Sequence, residues 1–149
     1  MFFLKELPTR QVLERYHASF PAMQVDTIDR ALRMLRTASL LLRELEAYFA
    51  THRLSQARFL VLVVLDREED RDGLRISQVA ERIDVARPVM TRTLQSLSAA
   101  GLVRFREDEA DARSRHVLLT AKGRRRLHDM LPGYYRTIDA FMKVHDAAG

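Results

Sequence analysis

ISQVAERIDVARPVMTRTLQSLSAAG, residues 76–101, holds two short amphipathic patterns separated by a turn. In the first, Val79, Ala80 and Ile83 fall at helical spacing behind Ser77, whose hydroxyl suits a helix cap. In the second, Pro88 stands where a first helical turn tolerates a missing N–H, and Arg87 before it is biased away from the helical region. Gly101 offers the left-handed conformation that ends a helix, so a second helix is expected from Pro88 to about Gly101. At about 100° per residue, Met90, Leu94 and Leu97 share one side of it. Pro88, Arg92 and Gln95 share the other, with Val89, Thr91 and Ser96 on the flanks. One side packs and the opposite side displays an arginine and a glutamine, which is what the second helix of a helix-turn-helix must do.

Downstream, LVRFRE (102–107) and RHVLLT (115–120) are rich in strand formers and flank the polar DEADARS, predicting a two-stranded hairpin with a long tip. Upstream, LSQARFLVLVVLDREE (54–69) starts at a capping Ser55 and is apolar almost all round through Leu65, a pattern open to buried helix or buried strand, with length and the charged end favouring helix. Before it, Ile28, Leu32, Leu35, Leu42, Leu45 and Phe49 mark one stripe of a long helix from a capping Asp26 to about His52. Residues 1–25 carry a short helix between Pro8 and Pro21. The end of the chain, from a capping Thr120, predicts two helices divided at Leu131, Pro132 and Gly133, the second with Tyr134, Ile138, Phe141 and His145 along one stripe. The expected fold is mainly α (α+β), a winged helix-turn-helix with a two-stranded wing. A lobe at 53–121 is flanked by long helices at 26–52 and 122–149, with 1–25 as an N-terminal extension.

Composition narrows the chemistry. The 149 residues contain no cysteine, which excludes disulfides, thiolate metal sites and thiol redox switches. His17, His52, His116, His128 and His145 show no paired ligand spacing, so neither a metal nor a cofactor is expected. HExxH, GxSxG, CxxC and a phosphate-cradling glycine loop are all missing, and an enzyme is not expected. No segment approaches the roughly 20 apolar residues of a membrane span, and the apolar start is too short for a secretory signal, so the expectation is a cytoplasmic protein. The net charge is +5, and 22 of the 25 basic residues are arginine. Residues 87–126 hold ten basic against four acidic residues, leaving the rest of the chain near −1. A basic patch on a balanced protein points to a polyanion, and arginine's planar fork suits phosphates and guanine edges.

ISQVAERI, VMTRTLQSLSAAGLV and DEADARSRHVLLTAKG together resemble the multiple antibiotic resistance regulator (MarR) family of winged-helix repressors across about residues 26–145. Thr91-Arg92, Leu97, Gly101-Leu102-Val103, Asp111-x-Arg113, Leu119-Thr120 and Gly123 fall at the family's positions. The resemblance implies a homodimer built by the outer helices, reading a palindromic operator in double-stranded DNA and released from it by a small effector, often aromatic or phenolic. It assigns to Arg113 an insertion into the minor groove and to Asp111 the orientation of that arginine, in keeping with a guanidinium's attraction to a narrow minor groove.

On the reading helix, Arg92 suits the O6 and N7 of guanine, Gln95 an adenine, and Val89 or Pro88 a thymine methyl. Ser77, Gln78, Arg87, Thr91 and Arg115 complete the expected DNA-contacting set, although a solvated strand residue is the plainer reading of Arg115. Two features depart from the family pattern. Arg87-Pro88-Val89 replaces a hydroxyl-rich run, and Glu107, Asp108 and Glu109 make the wing acidic. Tyr48 and His52 are candidates for an effector cleft, with ordinary packed residues as the alternative. A winged-helix module that has lost DNA affinity and acts through protein or ligand contacts is the competing function.

Overall fold

A computed structural model describes residues 2, 4–68, 73–107 and 115–145. Among these described residues nine elements follow one another: α1 (Arg10–Ser19), α2 (Val25–Thr51), α3 (Gln56–Asp66), β1 (Leu74–Arg75), α4 (Ile76–Arg82), α5 (Arg87–Ala99), β2 (Val103–Glu107), β3 (Arg115–Leu119) and α6 (Ala121–His145). They form two compact units, Met1–Leu45 with Ile138–Gly149, and Glu46–Thr137.

In the first unit, the Thr9 hydroxyl accepts from the N–H of Val12 at 3.3 Å and caps α1. Arg10 then pairs with Asp26 at 2.7 Å, fixing α1 to the opening turn of α2. That helix begins at Val25, one residue earlier than expected, so Asp26 lies in the first turn, where a negative charge suits the helix dipole, rather than at the cap. Buried Ser39 donates to the carbonyl of Phe2 at 3.2 Å, which satisfies its hydroxyl.

The second unit carries a core of Phe49, Phe59, Val61, Leu62, Val79, Met90, Leu94, Leu97, Val103, Val117, Leu127 and Met130, all nearly inaccessible to water. Each side chain of this kind contributes about 1.5–3 kcal/mol by leaving water. The ambiguous run after Ser55 is a helix, with Ser55 Oγ accepting from the N–H of Arg58. The wing hairpin pairs Val103 with Leu119, Phe105 with Val117 and Glu107 with Arg115. A third strand escaped the sequence reading: β1, only two residues long, pairs Leu74 with Val117 and Arg75 with His116, giving the order β1-β3-β2. This pairing also moves the start of α4. The chain passes from strand to helix at Arg75, whose N–H is capped by Gln78 Oε1 at 2.8 Å, so Ser77 sits inside the first turn and is not the cap.

The expected break at Pro132 does not occur, because α6 runs through it as one helix. Proline removes one hydrogen bond and costs about 3 kcal/mol inside a helix. Against that stand the burial of Leu127 and Met130 before it and the contacts of Tyr134 after it, whose ring lies 4.8 Å from that of Phe59 and 6.1 Å from that of Phe49. Gly133 is explained by close approach rather than by termination, since a Cβ there would lie 2.4 Å from the Tyr48 hydroxyl.

Candidate nucleic-acid interface

The helix expected to read DNA is α5, and both of its ends are set by local sequence. It starts at Arg87, one residue before the expected Pro88, because Ala86 supplies the extended cap conformation and its carbonyl accepts from the N–H of Met90 at 3.0 Å. Pro88 therefore falls in the first turn, where its missing N–H costs nothing. No side chain caps this end, so its N–H groups and the positive end of the helix dipole remain available to an anion. At the far end Gly101 has φ +70°. The N–H groups of Gly101 and Leu102 reach back to Ser98 and Leu97 at 2.9 Å each, and Leu102 joins Leu97 in the core.

The turn after α5 is tied directly to the start of α6. The Thr120 hydroxyl accepts from the N–H of Gly123 at 2.9 Å, and its hydrogen lies within reach of the carbonyls of Gly101 (2.7 Å) and Leu102 (3.0 Å). The Thr120 N–H donates to the same Leu102 carbonyl at 3.1 Å. Gly123 is close enough that a Cβ would sit 2.0 Å from that oxygen. Lys122 Nζ closes the group by donating to the carbonyl of Ala100 at 2.9 Å. Thus Gly101, Leu102, Thr120 and Gly123 fix the orientation of α5 against the root of α6 without facing a ligand.

Met90, Leu94 and Leu97 are buried, as the helical periodicity predicts, and Thr93 joins them because its hydroxyl donates to the carbonyl of Val89 at 2.7 Å. Arg87, Pro88, Val89, Thr91, Arg92 and Gln95 are all exposed, with Val89 at 44%. Arg87, Arg92 and Gln95 make no side-chain hydrogen bond or ion pair with any described residue, so their donors are open to a partner. Thr91 spends its hydroxyl hydrogen on the carbonyl of Arg87 at 3.1 Å and presents only acceptor capacity outward. On α4, Ser77 and Gln78 are exposed, but the Gln78 carbonyl oxygen is committed to its cap, leaving the NH2 as its outward group. Arg115 is exposed opposite Glu107, the strand pair next to residues 108–114, and Asp111 and Arg113 lie outside the described residues.

Other basic residues of the patch have internal duties. Arg124 pairs with Asp66 at 3.3 Å, a carboxylate that also contacts His128 Nε2 at 3.0 Å, and Arg126 donates to the carbonyl of His52. Tyr48 and His52 part company. The Tyr48 hydroxyl donates to the carbonyl of Met130 at 2.6 Å, a structural role, whereas His52 lines an open cavity of about 430 Å³ within the second unit. Arg53, Arg58 and Arg125 share that cavity and escaped the sequence reading. The available signal was a long helix ending in THRLS with no glycine to stop it. Among the described residues no three His, Asp or Glu side chains gather closely enough to hold a metal ion, and no helix is long and apolar enough to cross a membrane.

Comparison with known proteins agrees with this geometry. The MarR family model matches residues 54–114. The HTH-type transcriptional repressor YetL of Bacillus subtilis (strain 168) is 27% identical over 140 residues, covering 94% of this chain and 83% of YetL. Among solved structures, AbsC, a MarR family transcriptional regulator from Streptomyces coelicolor, superposes with a TM-score of 0.72 at 24% identity over 80% of each chain. A second MarR family regulator from that organism, solved in complex with DNA, gives a TM-score of 0.70 at 21% identity over 78% of this chain and 72% of the other. The helix-turn-helix lies within the residues that the MarR family model matches, and the chain shares the fold of the winged helix-turn-helix regulators of that family.

Proposed function

We propose that this protein is a cytoplasmic, non-enzymatic transcriptional regulator that binds a palindromic operator as a homodimer and acts as a repressor. The observation that carries the reading is the outer face of α5, where Arg87, Arg92 and Gln95 stand exposed with no described partner. Inserted in a major groove, Arg92 offers a fork to a guanine edge and Gln95 to an adenine, while the uncapped N-terminus and Arg87 meet phosphates. The resemblance assigns Arg113, with Asp111 to orient it, to the neighbouring minor groove, and we adopt that assignment.

Dimerisation is supported by the stripe on α2. Ile28, Leu35 and Leu42 recur every seven residues and are 37%, 49% and 40% exposed, an apolar seam left open on a single chain. Two copies would bring two reading helices to half-sites about one helical turn apart, or a multiple of it. We take residues 26–52 and 122–149 as the dimerisation helices, 53–121 as the DNA-binding lobe and 1–25 as an extension. Release by a small aromatic or phenolic effector follows from the family resemblance.

The test is fluorescence anisotropy with DNA flanking the protein's own gene, at several salt concentrations. Tight binding that competitor DNA does not displace, and that Arg92→Ala loses, supports the reading. Binding that is weak, sequence-blind and unchanged in the variant would leave a winged-helix module without an operator.

A further inference from the structure

The cavity at the second unit's basic edge is built from the end of α2, the first turn of α3, the end of α5 and the start of α6. Its lining carries Arg53, Arg58, Lys122, Arg125 and Arg126 against one carboxylate, Asp129. Lys122 and Arg126 are pinned to the wall by one bond each, to the carbonyls of Ala100 and His52, and keep further donors. Arg53, Arg58 and Arg125 have no side-chain hydrogen bond or ion pair with any described residue. Like charges gathered in a concavity repel one another, and an anion between them removes that repulsion. The floor is apolar, made by Leu54, Leu97 and Leu102, and the volume of about 430 Å³ suits a small molecule.

Arg53 is the most telling member. It ends α2 with φ +53°, the one non-glycine residue with a positive φ among those described. Its N–H reaches back to Ala50 at 2.9 Å and that of Leu54 to Phe49 at 3.1 Å, the closing pattern that ordinarily selects glycine. An arginine held there against its backbone preference, with its side chain at a cationic cavity, is better explained by what the guanidinium does than by the turn.

We propose that this cavity binds a small organic anion bearing two or more phosphate or carboxylate charges. The site stands apart from the DNA reading, and its test needs no operator. Isothermal titration of the full chain with inorganic pyrophosphate and, separately, citrate is compared with NaCl at matched ionic strength; the two probes separate phosphate from carboxylate preference. We expect saturable binding of at least one probe and a rise in melting temperature beyond that in NaCl. Arg53→Gly, which relaxes the turn, and Arg125→Gln should each weaken binding tenfold or more, whereas Arg15→Gln on α1 should bind as the parent does. Heats indistinguishable from NaCl, or parent-like binding by both cavity variants, would overturn the proposal. So would variants that lose DNA affinity yet bind the probes unchanged, since these arginines would then serve the DNA backbone.

Discussion

Gly101 and Gly123 flank the wing, and the structure separates what each does. At Gly101 the strain is conformational: φ is +70°, but an added Cβ would meet nothing nearer than Lys122 at 3.8 Å. Gly101→Ala should therefore cost only the left-handed penalty, about 1–2 kcal/mol. At Gly123 the problem is space, because the Cβ would sit 2.0 Å from the Leu102 carbonyl oxygen and 2.8 Å from Leu119 Cδ1. Backbone cannot rotate out of the way as a side chain can, so the start of α6 must move. Overpacking of this kind costs about 1–3 kcal/mol. Displacement also loosens the two hydrogen bonds from Thr120 onto Leu102, at about 1 kcal/mol each. Alanine's better helix propensity returns about 1 kcal/mol. The net expectation for Gly123→Ala is a loss of about 2–4 kcal/mol, larger than at Gly101, and a melting temperature lower by roughly 10 °C. Urea unfolding of both variants at one fixed protein concentration checks the order. A Gly123→Ala variant as stable as the parent, or less affected than Gly101→Ala, would refute the close-approach argument.

Replacing Leu35 with Glu puts a charge in the middle of the exposed α2 seam; if the proposed dimer forms there, light scattering at micromolar concentration should show a dimeric parent and a monomeric variant, while a lobe melting as before excludes misfolding. Tyr48→Phe removes the hydroxyl that donates to Met130 and should cost about 1 kcal/mol in urea with no change in DNA affinity. Arg124→Gln should change the salt slope of DNA binding little, because its guanidinium is already paired with the Asp66 carboxylate. Arg92→Ala should weaken operator binding by about 1–3 kcal/mol per half-site in anisotropy, and an effect of the same size on random DNA would reassign it to phosphate.

What the sequence disclosed follows from how local each signal is. The two faces of α5 were legible because burial on a helix obeys a period, and Met90, Leu94 and Leu97 obey it. Thr93 was missed since its polarity is cancelled by a bond to Val89 within its own helix, which periodicity does not register. The two-residue β1 is too short for any pattern and is held by β3, more than forty positions away. Pro132 and Gly133 are ordinary helix breakers by local chemistry, and tertiary contacts with Tyr48, Phe49 and Phe59 overrule them. The cavity arginines come from the end of α2, from α3 and from α6, and only folding brings them to one place.

The basic patch illustrates why charge alone is a poor guide to an interface. Its ten cations between residues 87 and 126 look alike in sequence, but the fold sorts them by what they already hold. Lys122, Arg124 and Arg126 are tied to Ala100, Asp66 and His52, and in these bonds they brace the root of α6 against its surroundings. A guanidinium already neutralised by a carboxylate gains little from a phosphate, since it must give up one partner for the other and only the difference appears as affinity. Arg87 and Arg92 have no such partner to surrender, and their helix is held rigid by the Leu97–Leu102 and Thr120–Gly123 contacts at its far end. Little ordering cost then remains for the backbone that carries them when DNA arrives, so on the proposed reading these two, unsatisfied on a fixed support, contribute more to recognition than the cations already tied down.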